Sequence, residues 1–277
     1  MIGQEKLLDK IDKLVENGFP RFVLLVGAKG SGKKLLSREI ANRLHYPLVP
    51  VGIGVDEVRD VIVNSYRNTE PIVYILPDTD KMSVAAKNAL LKITEEPPQK
   101  AYFILTVTDL SNTLSTLISR ACVLKMDNYK EEELLEYLKN KYDVSNMAEN
   151  NIVFVIETAT VPEEVDTLMT YDVKEFRCFV ETVATNLHTV SAANSFKILN
   201  KLALKKDEDK WDVLLFVQAL RQELLRLYYN EGIEYYFRAY VQAGTLLKEL
   251  KYKNSVNRQY CLDQFILDVR KIWRELQ

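Results

Sequence analysis

The chain has 277 residues, 47% hydrophobic and 27% charged, the balance of a soluble globular protein and too long for one ordinary core, so two or three domains are expected. Its longest apolar runs fall well short of the ~20 residues a membrane span needs, and the charged, amphipathic start MIGQEKLLDKIDKL is not a secretory signal, so a cytoplasmic protein without membrane contact is expected. Net charge is −2, with 20 Lys+Arg against 25 Asp+Glu through residue 170 and 17 against 14 beyond it, which excludes the basic excess of a protein that holds DNA alone.

In chain order, Leu7, Leu8, Ile11, Leu14 and Val15 recur at helical spacing, and Gly18 and Pro20 end that helix. Phe22–Val26 reads as a buried strand, followed by a glycine-rich turn and a helix through Leu44. Leu48–Val51 is a weaker strand, and Val55, Val58, Ile62 and Val63 mark the next helix. Ile72–Leu76 is strongly apolar and strand-like. Ser83 caps a helix through Thr94, stopped by Glu95, Glu96, Pro97 and Pro98. Tyr102–Val107 and Cys122–Met126 supply two more strands. Five apolar strands separated by helices predict a parallel sheet covered on both faces. Beyond residue 128 only helices are expected: Glu131–Lys141, Ile152–Thr158 and Pro162–Met169, then long amphipathic segments, clearest over Val213–Tyr229 and Tyr260–Trp273.

One segment carries chemistry. Gly27-Ala28-Lys29-Gly30-Ser31-Gly32-Lys33-Lys34 follows the first strand and opens a helix, with the GxxxxGK spacing of a phosphate-binding loop. Glycines let backbone N–H groups curl around phosphate oxygens, and the helix points its positive end at them. Gly27, Gly30, Ser31, Gly32, Lys33 and Lys34 are therefore the candidate nucleotide contacts, Lys33 reaching the β- and γ-phosphates. The residue after that lysine should be Ser or Thr, a Mg²⁺ ligand; Lys34 removes the ligand and adds a repelling charge. The acidic pair expected after Ile72–Leu76 reads Pro77-Asp78, so the metal-linked acid is missing too. ATP or ADP binding is expected without well-held Mg²⁺, and hydrolysis in this pocket is not.

Asp78-Thr79-Asp80-Lys81-Met82 and Ala86-Lys87-Asn88-Ala89-Leu90-Leu91-Lys92-Ile93-Thr94-Glu95-Glu96-Pro97-Pro98 closely resemble a stretch of bacterial clamp-loader subunits. Phe103–Leu105 with Thr106, Val107 and Thr108 resembles the strand that ends in a polar sensor residue there, and Leu114–Cys122 resembles the arginine-finger segment. Ile2-Gly3-Gln4, Val55–Arg59 and Asn254-Ser255-Val256-Asn257 resemble further signatures of the family.

The resemblance implies an α/β AAA+ P-loop core with a parallel five-stranded sheet over 1–127, a helical lid over 128–171 and an all-helical collar over 172–277. It implies an assembly with other clamp-loader subunits, with the sliding clamp and DNA polymerase III, in which primed DNA is met only by the whole. Lost metal ligands, no arginine within Thr158–Leu168 (only Glu163 and Glu164) and a retained Ser119-Arg120 are similar to the delta-prime type of subunit. Arg120 is then the candidate catalytic residue, acting in trans on a neighbour's ATP site. Cys122, Cys178 and Cys261 are far apart with no CxxC pair, so the family's four-cysteine zinc module is absent and no zinc is expected. The competing readings are a working ATPase motor subunit and a pseudo-ATPase scaffold of a non-replicative assembly.

Overall fold

The computed structural model describes residues 2–189, 201–203, 210–252 and 257–277. Two compact units divide the chain: Met1–Glu133 with Val161–Glu163, and Leu134–Thr160 with Glu164–Gln277.

In the first unit the strands β1 (Phe22–Val26), β2 (Leu48–Pro50), β3 (Ile72–Leu76), β4 (Ala101–Val107) and β5 (Cys122–Lys125) form one sheet in the order β2-β3-β4-β1-β5. All neighbouring pairs are parallel. Because successive strand side chains point to opposite faces, β1 serves two cores. Phe22 and Leu24 pack with Val58, Ile62, Leu90, Ile93 and Leu117, from the helices α3 (Val55–Ser65), α4 (Val84–Glu95) and α5 (Ser115–Ile118). Val23 and Leu25 pack with Leu7, Ile11, Leu36 and Ile40, from α1 (Glu5–Asn17) and α2 (Lys33–Leu44). This is the doubly covered parallel sheet the apolar runs predict. β5 is an edge strand, paired with β1 alone among the described residues. Gln4 ties the start of the chain to the segment after β5: its side chain donates to Asp127 O and accepts from Asp127 N, both at 3.0 Å.

The second unit is built from α7 (Glu149–Thr158), α9 (Val173–Asn186), α10 (Val213–Glu231), α11 (Glu234–Tyr252) and α12 (Arg258–Glu275), together with most of α6 (Glu131–Lys141) and α8 (Pro162–Leu168). α10 lies against α7, α9 and α11, and α11 against α12. Asp212 caps α10 by accepting from the N–H groups of Leu214 and Leu215, and Asn257 caps α12 through Gln259 and Tyr260. Asn254, Ser255 and Val256 lie outside the described residues.

One expectation is corrected. The region beyond residue 128 is not helix alone, since Leu202–Ala203 pairs in parallel with Trp211–Asp212. Trp211 packs its ring on Phe176 and Phe179 at 5.1 and 4.9 Å. That aromatic anchor holds the segment extended until Asp212 starts α10. Smaller shifts occur at element ends: β2 stops at Pro50, β5 at Lys125, α7 starts at Glu149 and α8 stops at Leu168.

Candidate functional site

β1 delivers the chain to the carboxyl end of the sheet, where open α/β sheets hold ligands, and residues 27–32 form the turn into α2. Gly30 (φ 81°) and Gly32 (φ 91°) adopt left-handed backbone, which a side chain would oppose. Gly27 N–H donates to Val107 O at 3.1 Å, fixing the loop's entry to the end of β4, and Ser31 N–H donates to Ala28 O at 3.2 Å. From the far side of the sequence, Tyr129 OH donates to Ser31 O at 2.8 Å. Ser31 Oγ rests 3.4 Å from Met126 Sδ.

Lys33 is buried, and its ammonium donates to Gly27 O and Ala28 O, both at 2.8 Å. Two of its three protons therefore curl the first two loop carbonyls around the nitrogen, leaving one donor for an anion. Burial lowers the Lys33 pKa below the ordinary lysine value, while Asp78, Asp80 and Glu163 attract its charge and oppose that shift. Lys34 points into solvent, and its charge acts on Asp78.

The acidic turn after β3 is committed to its own structure. Asp78 sits in left-handed backbone at φ 50°, bonds Lys81 Nζ at 2.8 Å and donates its N–H to buried Thr106 Oγ1 at 3.1 Å. The hydrogen bond from Lys81 holds the Asp78 carboxyl below its ordinary pKa, with attraction from Lys33 and Lys34 adding to it. Asp80 Oδ2 accepts from Thr108 N–H at 3.1 Å and from the Thr108 hydroxyl. The two threonines at the end of β4 thus brace this turn. Pro77 offers no side-chain ligand, and Lys34 repels a cation, so the residues present do not fit Mg²⁺, whereas the loop itself fits a phosphate.

Arg120 lies between α5 and edge strand β5. It is exposed, donates to Thr116 O at 3.1 Å and pairs with Glu95 at 3.3 Å. Glu163 and Glu164, adjacent in sequence, part company. Glu164 accepts from Thr160 and from Gln218 in the second unit. Glu163 belongs to the first unit and lies on the loop: a Cβ placed on Gly30 would stand 2.6 Å from Glu163 Oε2. Tyr129 carried no readable signal, because its bond spans 98 residues. Two surface clefts include no loop residue. One, of about 490 Å³, is lined by α1 and the end of α2 (Asp12, Glu16, Arg43, His45), and the other, of about 340 Å³, by α1 and β5 (Lys6, Lys10, Lys125). Among the described residues no helix is long and apolar enough to cross a membrane.

Known proteins resemble this chain in sequence and in fold. Residues 52–130 match the family model described as DNA polymerase III, delta subunit; the phosphate loop lies upstream of the matched span. The delta-prime subunit of DNA polymerase III from Haemophilus influenzae is 36% identical over 109 residues, 37% of this chain and 33% of that protein. The gamma subunit from Buchnera aphidicola (of Schizaphis graminum) is 28% identical over 176 residues, 50% of this chain and 47% of that protein. The chain thus spans between a third and a half of the length of these relatives. A DNA polymerase III gamma subunit-related protein from Thermotoga maritima shares the fold, with a TM-score of 0.52 at 17% identity, over 96% of this chain and 99% of that one. By these sequence matches the chain resembles the delta-prime and gamma subunits of DNA polymerase III, and it shares the fold of the gamma subunit-related protein, with its parallel sheet in the order β2-β3-β4-β1-β5.

Proposed function

We propose that this chain is a delta-prime-like subunit of a sliding-clamp loader that holds a nucleotide without hydrolysing it and donates Arg120 to a neighbouring subunit's ATP site. One observation supports the reading: the glycine turn closes its first two carbonyls on the buried Lys33 ammonium, while Lys34 and Pro77 stand where a metal-binding loop would carry ligands. Gly27, Gly30, Ser31, Gly32 and Lys33 would hold the phosphates of ATP or ADP, with the Lys34 charge standing in for part of the missing metal. Residues 128–171 would act as lid and 172–277 as collar, in the cytoplasm, with the other loader subunits and the sliding clamp as partners. Primed DNA would be engaged by the assembly.

Arg120 suits a trans role because little holds it back. Its pair with Glu95 is solvent-exposed on both sides, and such pairs contribute about 0–1 kcal/mol. A guanidinium supplied to a transferring phosphoryl group raises the rate by roughly 10³–10⁵. ATP turnover should be negligible for the isolated chain, and Arg120→Ala in the reconstituted loader should depress turnover without preventing assembly. Mg²⁺-dependent turnover by the chain alone, abolished by Lys33→Ala, would instead establish a motor subunit. Normal turnover and clamp loading with Arg120→Ala would remove the trans role.

A further inference from the structure

Among the described residues, Val161–Glu163 is the one stretch of chain after Glu133 that belongs to the first unit, and it lies on the glycine loop. A Cβ on Gly30 would meet Glu163 Oε2 at 2.6 Å, Glu163 Cβ at 2.7 Å and Val161 Cγ2 at 3.1 Å. Only glycine lets this segment settle so close. Three carboxylates act on the buried Lys33 ammonium: Asp78, Asp80 and Glu163. The first two belong to the turn after β3. Glu163 is the one that lies against the loop whose N–H groups and lysine would receive an anion.

We propose that Glu163 is a specificity-determining residue of the loop, its carboxylate weakening the hold on nucleotide phosphates and penalising a triphosphate more than a diphosphate. This rests on the reading of Gly27–Lys33 as a phosphate cradle. With Lys34 and Pro77 where metal ligands would stand, no divalent ion is held between the phosphates and a neighbouring carboxylate, and only the single charges of Lys33 and Lys34 offset it. Repulsion between like charges therefore acts at the loop, moderated by the water around the exposed Glu163, and it grows with the charge of the ligand. Glu163 sets an upper limit on the phosphate charge that the loop tolerates.

The alternative is that Glu163 serves only to pack its methylenes on Gly30, and glutamine separates the two, since it keeps length and packing while removing charge. The experiment is calorimetric titration of the full chain with ADP and with ATP in the presence of EDTA. Glu163→Gln should tighten ADP binding about tenfold and ATP binding by more, and Lys33→Ala in the same background should erase the gain. Asp9→Asn, the same charge change on the exposed face of α1, should alter neither affinity. Affinities for Glu163→Gln within about twofold of the parent, with Lys33→Ala still weakening the parent, overturn the role of Glu163 and leave the cradle standing. If Lys33→Ala changes nothing in either background, or neither protein binds at millimolar nucleotide, the cradle reading fails and the inference falls with it.

Discussion

At the scale of single residues, Gly30 answers to two demands at once, a left-handed backbone and the close approach of Glu163. Gly30→Ala should destabilise the first unit by about 1–2 kcal/mol from backbone strain alone, with a further steric share. The double variant Gly30→Ala/Glu163→Ala should recover only the part of the steric share owed to the carboxylate, because the Cβ of residue 163 stays 2.7 Å from the added methyl, as read from denaturant midpoints. A second expectation concerns acid. In the fold the Asp78 pKa is depressed, chiefly by Lys81, so this pair's stabilisation is present at neutral pH. It declines below about pH 4, where an unfolded aspartate takes up its proton, and is gone once pH passes below the folded value. Both partners are about half-exposed, which limits the effect to under about 1 kcal/mol. Lys81→Met should therefore lower stability slightly at pH 7 and lose its effect in strong acid, measured by urea unfolding at both values.

At the scale of elements, legibility followed the strength of the local pattern. Phe22–Val26 and Ile72–Leu76 are continuous apolar runs buried on both faces, and their ends could be read to the residue. Ser83 announced α4, and its hydroxyl accepts from Ala86 N–H. α11 was harder, because its buried stripe runs through Tyr235, Tyr236, Ala239 and Ala243, where tyrosine and alanine give a weak apolar rhythm. The two-residue pairing of Leu202–Ala203 with Trp211–Asp212 is too short to have any period. At the site, the loop was legible because its glycines and lysine are contiguous, whereas the bond from Tyr129 and the approach of Glu163 come from distant parts of the chain and exist only in the fold. Caps offer a direct check on element stability. Asp212 satisfies two N–H groups of α10, at 2.7 and 3.1 Å, so Asp212→Ala should cost about 1 kcal/mol, detected as a lower unfolding midpoint by tryptophan fluorescence.

At the scale of the whole molecule, two units with separate cores give each probe its own territory. Both tryptophans, Trp211 and Trp273, lie in the second unit, while the phosphate loop lies in the first. A chain of this size with two cores is not expected to unfold in one step. The sheet also has an unzipped side. β5 leaves one row of its backbone groups without a strand partner among the described residues, and Lys6, Lys10 and Lys125 line the cleft beside it. An incoming strand from another molecule would have to bury that cluster of ammonium groups against its own backbone, and positive charge on an edge is a common guard against such stacking. Those lysines would act as a fence: a strand laid along β5 would have to strip the water from their charges before it could pair.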